Sequence, residues 1–290
     1  MKIFFQKLFS IKNKNNYKKV ITIAGIKITF FSINNAIKDV LLKLNKLEKK
    51  ESKIKALENN IQALNCKVNE LTTLQKFYMT EKPWKNLKVY MSDISAKESA
   101  KFIIKNMHNV PSFSGRFKMY EHILKNHNKE GLYLEFGVHV GKSINAIARI
   151  KSDKIIYGFD SFKGLPENWI TDYPKGHFKM NTMPEVNSNV VLIEGYFEDS
   201  LPEFIKEHGN FDISFINIDC DLYSSTKTIF DNLKGHISQG TIICFDDFFN
   251  YPNWQQHEYK AFMEFLDETG FDVEYLGYVY LNTKVALKIK

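Results

Sequence analysis

The 290-residue sequence has only three cysteines, Cys66, Cys220 and Cys244, and no pair of them has CxxC spacing. That excludes a disulfide framework and a cysteine-built zinc site, and points to a reducing compartment. No stretch reaches the roughly 18 uninterrupted apolar residues of a membrane span. The apolar run within residues 1–10 is too short for a secretory signal. The expected location is therefore the cytoplasm. Arginine is missing from the first 90 residues, which hold 19 lysines and six acids, a balance of +13. Since the whole chain carries +7, the remainder carries −6. An acidic remainder lacks the basic face that phosphate contacts need, so no nucleic-acid partner is expected there. The lysine-rich part reads either as a solvated face or as a peripheral contact with an anionic membrane surface or an acidic partner.

What is present is a change of periodicity along the chain. VITIAGIKITFF (20–31) alternates around Ala24-Gly25 and predicts a small β-hairpin in a basic segment, 1–35. Ile54, Leu57, Ile61, Leu64, Val68 and Leu71 then step by three and four, the seam of a coiled coil in a helix over 36–80. Val40 and Leu47 extend the register backwards, interrupted by Lys43 and Lys50. A homo-oligomer through residues 36–75 is expected; the competing expectation packs this helix on its own catalytic domain. EKPW (81–84) breaks the helix, and two helices over 92–128, with Pro111 between them, make a helical lid or linker over 81–130. A core over 131–290 follows. Its strands are LYLEFGV (132–138), KIIYGFD (154–160), NVVLIEG (189–195), DISFINID (212–219) and GTIICFD (240–246), with helical stretches between them. DVEYLGYV (272–279) and KVALKIK (284–290) close the chain as an antiparallel hairpin. The fold class is α/β, a Rossmann-like parallel sheet with helices on both faces. A closing hairpin of this kind is typical of class I methyltransferases rather than of dehydrogenases.

Two clusters carry chemistry. The first strand runs into EFGVHVGKS (135–143), where Gly137 and Gly141 let backbone approach a ligand closely. His139 stands where a dinucleotide site has its middle glycine. Asp160, at the tip of the second strand, either accepts both hydroxyls of a ribose or caps the following turn. Glu135 either orients an ammonium group of the ligand or hydrogen-bonds its own loop. The second cluster is acidic: Asp219 and Asp221 follow the fourth strand, Asp246 and Asp247 the fifth. Like charges gathered at one sheet edge repel, and a divalent cation removes the conflict. All-oxygen ligands suit magnesium, manganese or calcium better than zinc. The competing reading has these acids capping helices in surface loops.

EFGVHVGKS, GFDSFKGLP (158–166), IDCDLYSST (218–226) and the run from Leu233 through FDDF resemble the macrocin O-methyltransferase family, over about residues 115–270. The resemblance implies S-adenosylmethionine as cofactor, magnesium, and a sugar hydroxyl as acceptor. It places Glu135, Gly137 and Gly141 in the cofactor loop, with Asp160 on the ribose beside Ser161, and Gly195, Tyr196 and Phe197 near adenine. Asp219, Asp246 and Asp247 match the magnesium ligands, Asp219 also bordering the cofactor, and Asp221 matches the general base. His257 and His139 are the alternative bases. Tyr223, Cys220 and Cys244 read as packing residues. The first 90 residues have no counterpart in the family, and segments 169–184 and 250–257 do not identify an acceptor. KKVITIAGIKITF (18–30) resembles leaders of bacterial surface-polysaccharide enzymes, which points to a capsule or lipooligosaccharide sugar. The alternatives are a nicotinamide-dependent oxidoreductase and a non-catalytic assembly subunit of a glycan-synthesis complex.

Overall fold

The computed structural model describes residues 9–15, 18–23, 26–31, 33–80, 86–170 and 172–290. The chain divides into two compact units, Met1–Pro83 and Trp84–Lys290. In the first, β1 (Phe9–Asn15), β2 (Lys18–Ile23) and β3 (Ile26–Phe31) form an antiparallel sheet in chain order. The expected hairpin corresponds to β2 and β3, where Val20 faces Thr29 and Ile21 faces Ile28. The third strand, β1, was not anticipated, because FSIKNKN carries little apolar alternation. The centre of the expected hairpin, Ala24-Gly25, and the helix break at 81–84 lie outside the described residues. Helix α1 runs from Ile33 to Thr80. Among the described residues no helix is long and apolar enough to cross a membrane.

The second unit begins with α2 (Leu87–Asn106), the two-residue strand β4 (Ser112–Phe113) and α3 (Arg116–Leu124). Strands β5 (Leu132–Phe136), β6 (Ile156–Asp160), β7 (Val190–Glu194), β8 (Ile213–Ile218) and β9 (Ile242–Phe245) follow, all parallel. Between them lie α4 (Lys142–Ile150), α5 (Phe197–His208) and α6 (Tyr223–Leu233). Helix α7 (Glu258–Thr269) leads to β10 (Val273–Val279) and β11 (Val285–Ile289), and β11 enters antiparallel between β9 and β10. The order β4-β10-β11-β9-β8-β5-β6-β7 is the Rossmann-like class I methyltransferase sheet that the closing hairpin predicts, with β4 added at one edge. Two residues after Pro111 leave no periodic signal, so β4 is invisible in the sequence.

Burial explains the strands. All six residues of β8, ISFINI, are buried, because helices cover both faces. On one side α5, α6 and α7 contribute Leu201, Phe204, Phe230, Phe262 and Phe265 to a core with Phe136 and Phe159. On the other, α3 and α4 pack Tyr120, Leu124, Ile144 and Ile147 against Tyr133 and Phe215. The chain order turns outward in opposite directions from β5 and β8, so a crevice opens at their carboxyl ends.

Candidate active site

A cavity of about 660 Å³ occupies that crevice. Gly137 sets its floor. At φ 91° it takes a conformation that disfavours side chains, and a Cβ there would lie 1.8 Å from the Asp219 carbonyl oxygen. The tips of β5 and β8 therefore touch backbone to backbone, with Asp219 N–H donating to Phe136 O at 2.8 Å. Asp160 holds the glycine loop: its Oδ2 accepts from Val138 N at 2.9 Å and His139 N at 2.8 Å, and its Oδ1 from Phe162 N at 2.7 Å. Asp160 thus does cap its own turn. A carboxylate has about four lone-pair positions, so room remains for one ligand hydroxyl rather than the two expected. Ser161, Gly195, Tyr196 and Phe197 line the same half of the cavity.

Two predicted cofactor residues stand elsewhere. Gly141, φ 76°, is the N-cap of α4 and faces Asn145 and Pro184. Glu135 is fully buried behind the wall, accepting from Ser143 Oγ at 2.8 Å and Asn217 Nδ2 at 3.1 Å. Glu135 thus bonds its own loop through Ser143 and the neighbouring strand β8 through Asn217. Burial pushes its pKa up to about 8 against the pull of these donors.

In the acidic half the charge balance differs from the expected uncompensated cluster. Asp219, Asp246 and Asp247 do converge, each offering an oxygen within 4.8 Å of the others. Yet the protein supplies its own cations. Arg116 Nη1 lies 2.9 Å from Asp219 Oδ2 and 3.1 Å from Asp246 Oδ1, and Lys284 Nζ lies 2.7 Å from Asp246 Oδ2. The cluster is therefore not held together only by an external ion. Burial opposes the charge on Arg116, but Asp246 and Asp219 outweigh it and raise its pKa. Burial, then Asp246, pushes the Asp219 carboxyl well above its usual range. Burial and the neighbouring Asp247 do the same for Asp221, while Asp247 rises to about 6.

A buried carboxylate fixes the loops that carry these acids. Glu258, at the start of α7 and 0% exposed, accepts from Cys220 N at 3.3 Å and Asp221 N at 3.2 Å through Oε1. Its Oε2 accepts from Asp247 N at 3.1 Å. One side chain thus ties the β8 tip to the β9 tip and holds Asp221 at φ 65°. Thr283, in the β10–β11 turn, donates to Asp246 O and sits in the cavity wall. Arg116, Lys284, Glu258 and Thr283 were all missed in the sequence. Each finds its partner only through the fold, 103 residues away along the chain for Arg116 and Asp219.

The rim is aromatic: Trp169, Tyr173 and Phe178 line the cavity, with Tyr173 and Phe178 stacked at 5.6 Å. His139 lines the cavity too, whereas His257 packs behind it on Trp169 and Tyr251, its pKa lowered by burial. Tyr223 donates to Glu264 at 2.8 Å, a packing role. Cys244 fills the core; Cys220 both packs in the core and reaches the cavity wall. The donor set fits a hard divalent cation, since it is all oxygen, with Asp246 Oδ1 held by the Arg116 ion pair alone.

Residues 134–248 match the family model Methyltransf_24, a methyltransferase domain. No curated protein matches the sequence. Among solved structures, the calicheamicin methyltransferase CalS11 is 18% identical, covers 75% of this chain and 90% of its own, and gives a TM-score of 0.48. The O-methyltransferase NovP is 22% identical over 59% of this chain and 76% of its own, with a TM-score of 0.42. A Bacillus cereus O-methyltransferase is 18% identical over 70% and 96%, with a TM-score of 0.40. These likenesses are distant, and the fold assignment rests on the strand order. The match favours a methyltransferase over the oxidoreductase alternative, and residues 134–248, which hold most of the cavity lining, are similar to a methyltransferase domain.

Proposed function

We propose that this enzyme is an S-adenosylmethionine-dependent O-methyltransferase acting on a sugar hydroxyl, with magnesium at Asp219, Asp246 and Asp247, in bacterial surface-polysaccharide synthesis. The observation that carries this reading is one cavity joining the glycine loop to three converging carboxylates. Loop 137–140, Asp160, Ser161 and the turn Gly195-Tyr196-Phe197 would seat the cofactor. When bound, the cofactor brings a methyl group on cationic sulfur, and the metal acidifies a substrate hydroxyl. Asp221 accepts the hydroxyl proton as attack proceeds. Arg116 and Lys284 oppose the like charges of Asp219 and Asp246, while Glu258 fixes the backbone on which Asp221 and Asp247 sit. Trp169, Tyr173 and Phe178 offer apolar faces to a sugar ring and keep water from the site. The macrocin resemblance supports the sugar, and the leader-like KKVITIAGIKITF supports the surface polysaccharide.

A second reading draws on the same geometry. Because Arg116 and Lys284 already offset the carboxylates, the reaction proceeds by base catalysis from Asp221 without a metal. Methyl transfer from labelled cofactor to sugar acceptors, followed across a magnesium titration after chelation, separates the two. The metal reading expects transfer to stop with chelator, to return with magnesium and to be lost in Asp246→Ala. Undiminished transfer in chelator sinks it. Both readings expect Asp221→Asn to bind cofactor normally and to lose about 10²–10⁴-fold in turnover.

A further inference from the structure

The longest element of the chain has an apolar seam in the open. Ile54, Leu57, Ile61, Leu64 and Val68 on α1 are 55%, 60%, 56%, 61% and 55% exposed, and Val40 and Leu47 are also exposed. Scattered single apolar residues on a surface need no explanation, but a continuous stripe marks an interface. We propose that this face is a parallel, in-register two-stranded coiled coil with a second copy of the same chain.

The register itself selects the occupant. With Ile54 at position a, the a sites are Val40, Leu47, Ile54, Ile61 and Val68, and the d sites are Lys43, Lys50, Leu57, Leu64 and Leu71. Over residues 54–71 every a residue is β-branched and every d residue is leucine, the combination that favours two parallel strands over three or four. The flanking charges then decide orientation. Lys46 and Lys53 occupy g sites, and Glu51 and Glu58 the e sites five residues further on. In a parallel dimer each g residue meets the e residue of the next heptad on its partner. Lys46 therefore meets Glu51, and Lys53 meets Glu58, each twice by symmetry. An antiparallel pair would set g against g and e against e, lysine on lysine and glutamate on glutamate. Asn60 and Asn65 fill the next g and e sites and pair as amides. The sequence of α1 is thus complementary to itself in one orientation.

The same register limits the strength. Lys43 and Lys50 at d place like charges face to face, so the apolar seam is confined to residues 54–71, about 27 Å of helix. Dimerisation should therefore be a concentration-dependent equilibrium rather than obligate assembly.

The test uses the full chain. Light scattering across a hundredfold range of concentration should show the mass rising from monomer towards dimer and no higher. With Cys66 replaced by serine, Leu57→Cys and Leu64→Cys chains should each cross-link to dimers on mild oxidation, since equivalent d residues meet across a parallel pair. Cys220 and Cys244 are buried in the second unit and do not interfere. The natural Cys66 falls at an f site and should not cross-link. Lys46→Glu/Lys53→Glu and Glu51→Lys/Glu58→Lys chains should each lose self-association and recover it when mixed, with unchanged helix content by circular dichroism. A monomer at every concentration would overturn the proposal and leave α1 to its own methyltransferase unit. A trimer, cross-linking at only one of the two leucine sites, or no recovery on mixing would also overturn it.

Discussion

At the scale of single residues, Glu135 shows how a group in a cofactor motif can serve the scaffold. Its oxygens take Ser143 and Asn217, and Tyr120 in turn donates to Asn217 Oδ1 at 2.9 Å, a buried chain running from α4 through β5 and β8 to α3. Burial raises the Glu135 pKa from 4.5 to about 8. Between those values the folded state binds a proton that the unfolded state releases, so stability falls as pH rises. The contribution is complete below about pH 4.5 and gone above about pH 8. It amounts to roughly 1.4 kcal/mol per pH unit inside that window. Glu135→Gln cannot titrate, and its hydroxyl and amide partners remain usable. Urea unfolding of the two proteins across the window should give a shallower decline for the variant, by up to one proton. Parallel curves would mean that Glu135 is ionised in the fold.

At the scale of elements, the sequence reveals much of the scaffold and little of the charge balance. Strands β5 to β9 and the closing hairpin are readable because each is an apolar run bounded by turn residues, and Asp160, Asp219 and Asp246 are readable because they end such runs. Arg116 and Lys284 are not, since a lone basic residue at the start of a helix or strand resembles any solvated one. Glu258 is hidden for a related reason: an acid in the first turn of a helix is what the helix dipole favours anyway. Only the sheet, by setting β11 beside β9, brings Lys284 onto Asp246, and that contact can be tested. Lys284→Met leaves a buried carboxylate short of one partner, which typically costs about 3–5 kcal/mol, less here because Arg116 stays. The same change leaves Asp246 Oδ2 with only the long 3.5 Å bond from Arg116 Nη2. Calorimetry should therefore find tighter magnesium binding in the variant, and magnesium should restore part of the lost melting temperature. Unchanged affinity would remove Asp246 from the ligand set.

At the scale of the whole molecule, charge and core are divided differently along the chain. Among the described residues, both apolar clusters and the side chains packed against them lie between Phe102 and Ile289, and the cavity lining lies from Arg116 onward. A chain of residues 84–290 contains the complete core, so it should unfold cooperatively by itself and bind S-adenosylmethionine as the full chain does. Positive charge is concentrated at the other end of the chain. Residues 1–83 hold 17 lysines and six acids, +11, which leaves −4 on residues 84–290, so net attraction to an anionic surface comes from the part that this shorter chain lacks. Such attraction is screened within about 10 Å at 0.1 M salt. The full chain should therefore co-sediment with vesicles containing phosphatidylserine at low ionic strength and release in high salt, while residues 84–290 stay in the supernatant in both. Equal vesicle binding by the two chains would place the membrane contact on the methyltransferase unit and leave the lysine-rich segment a solvated face.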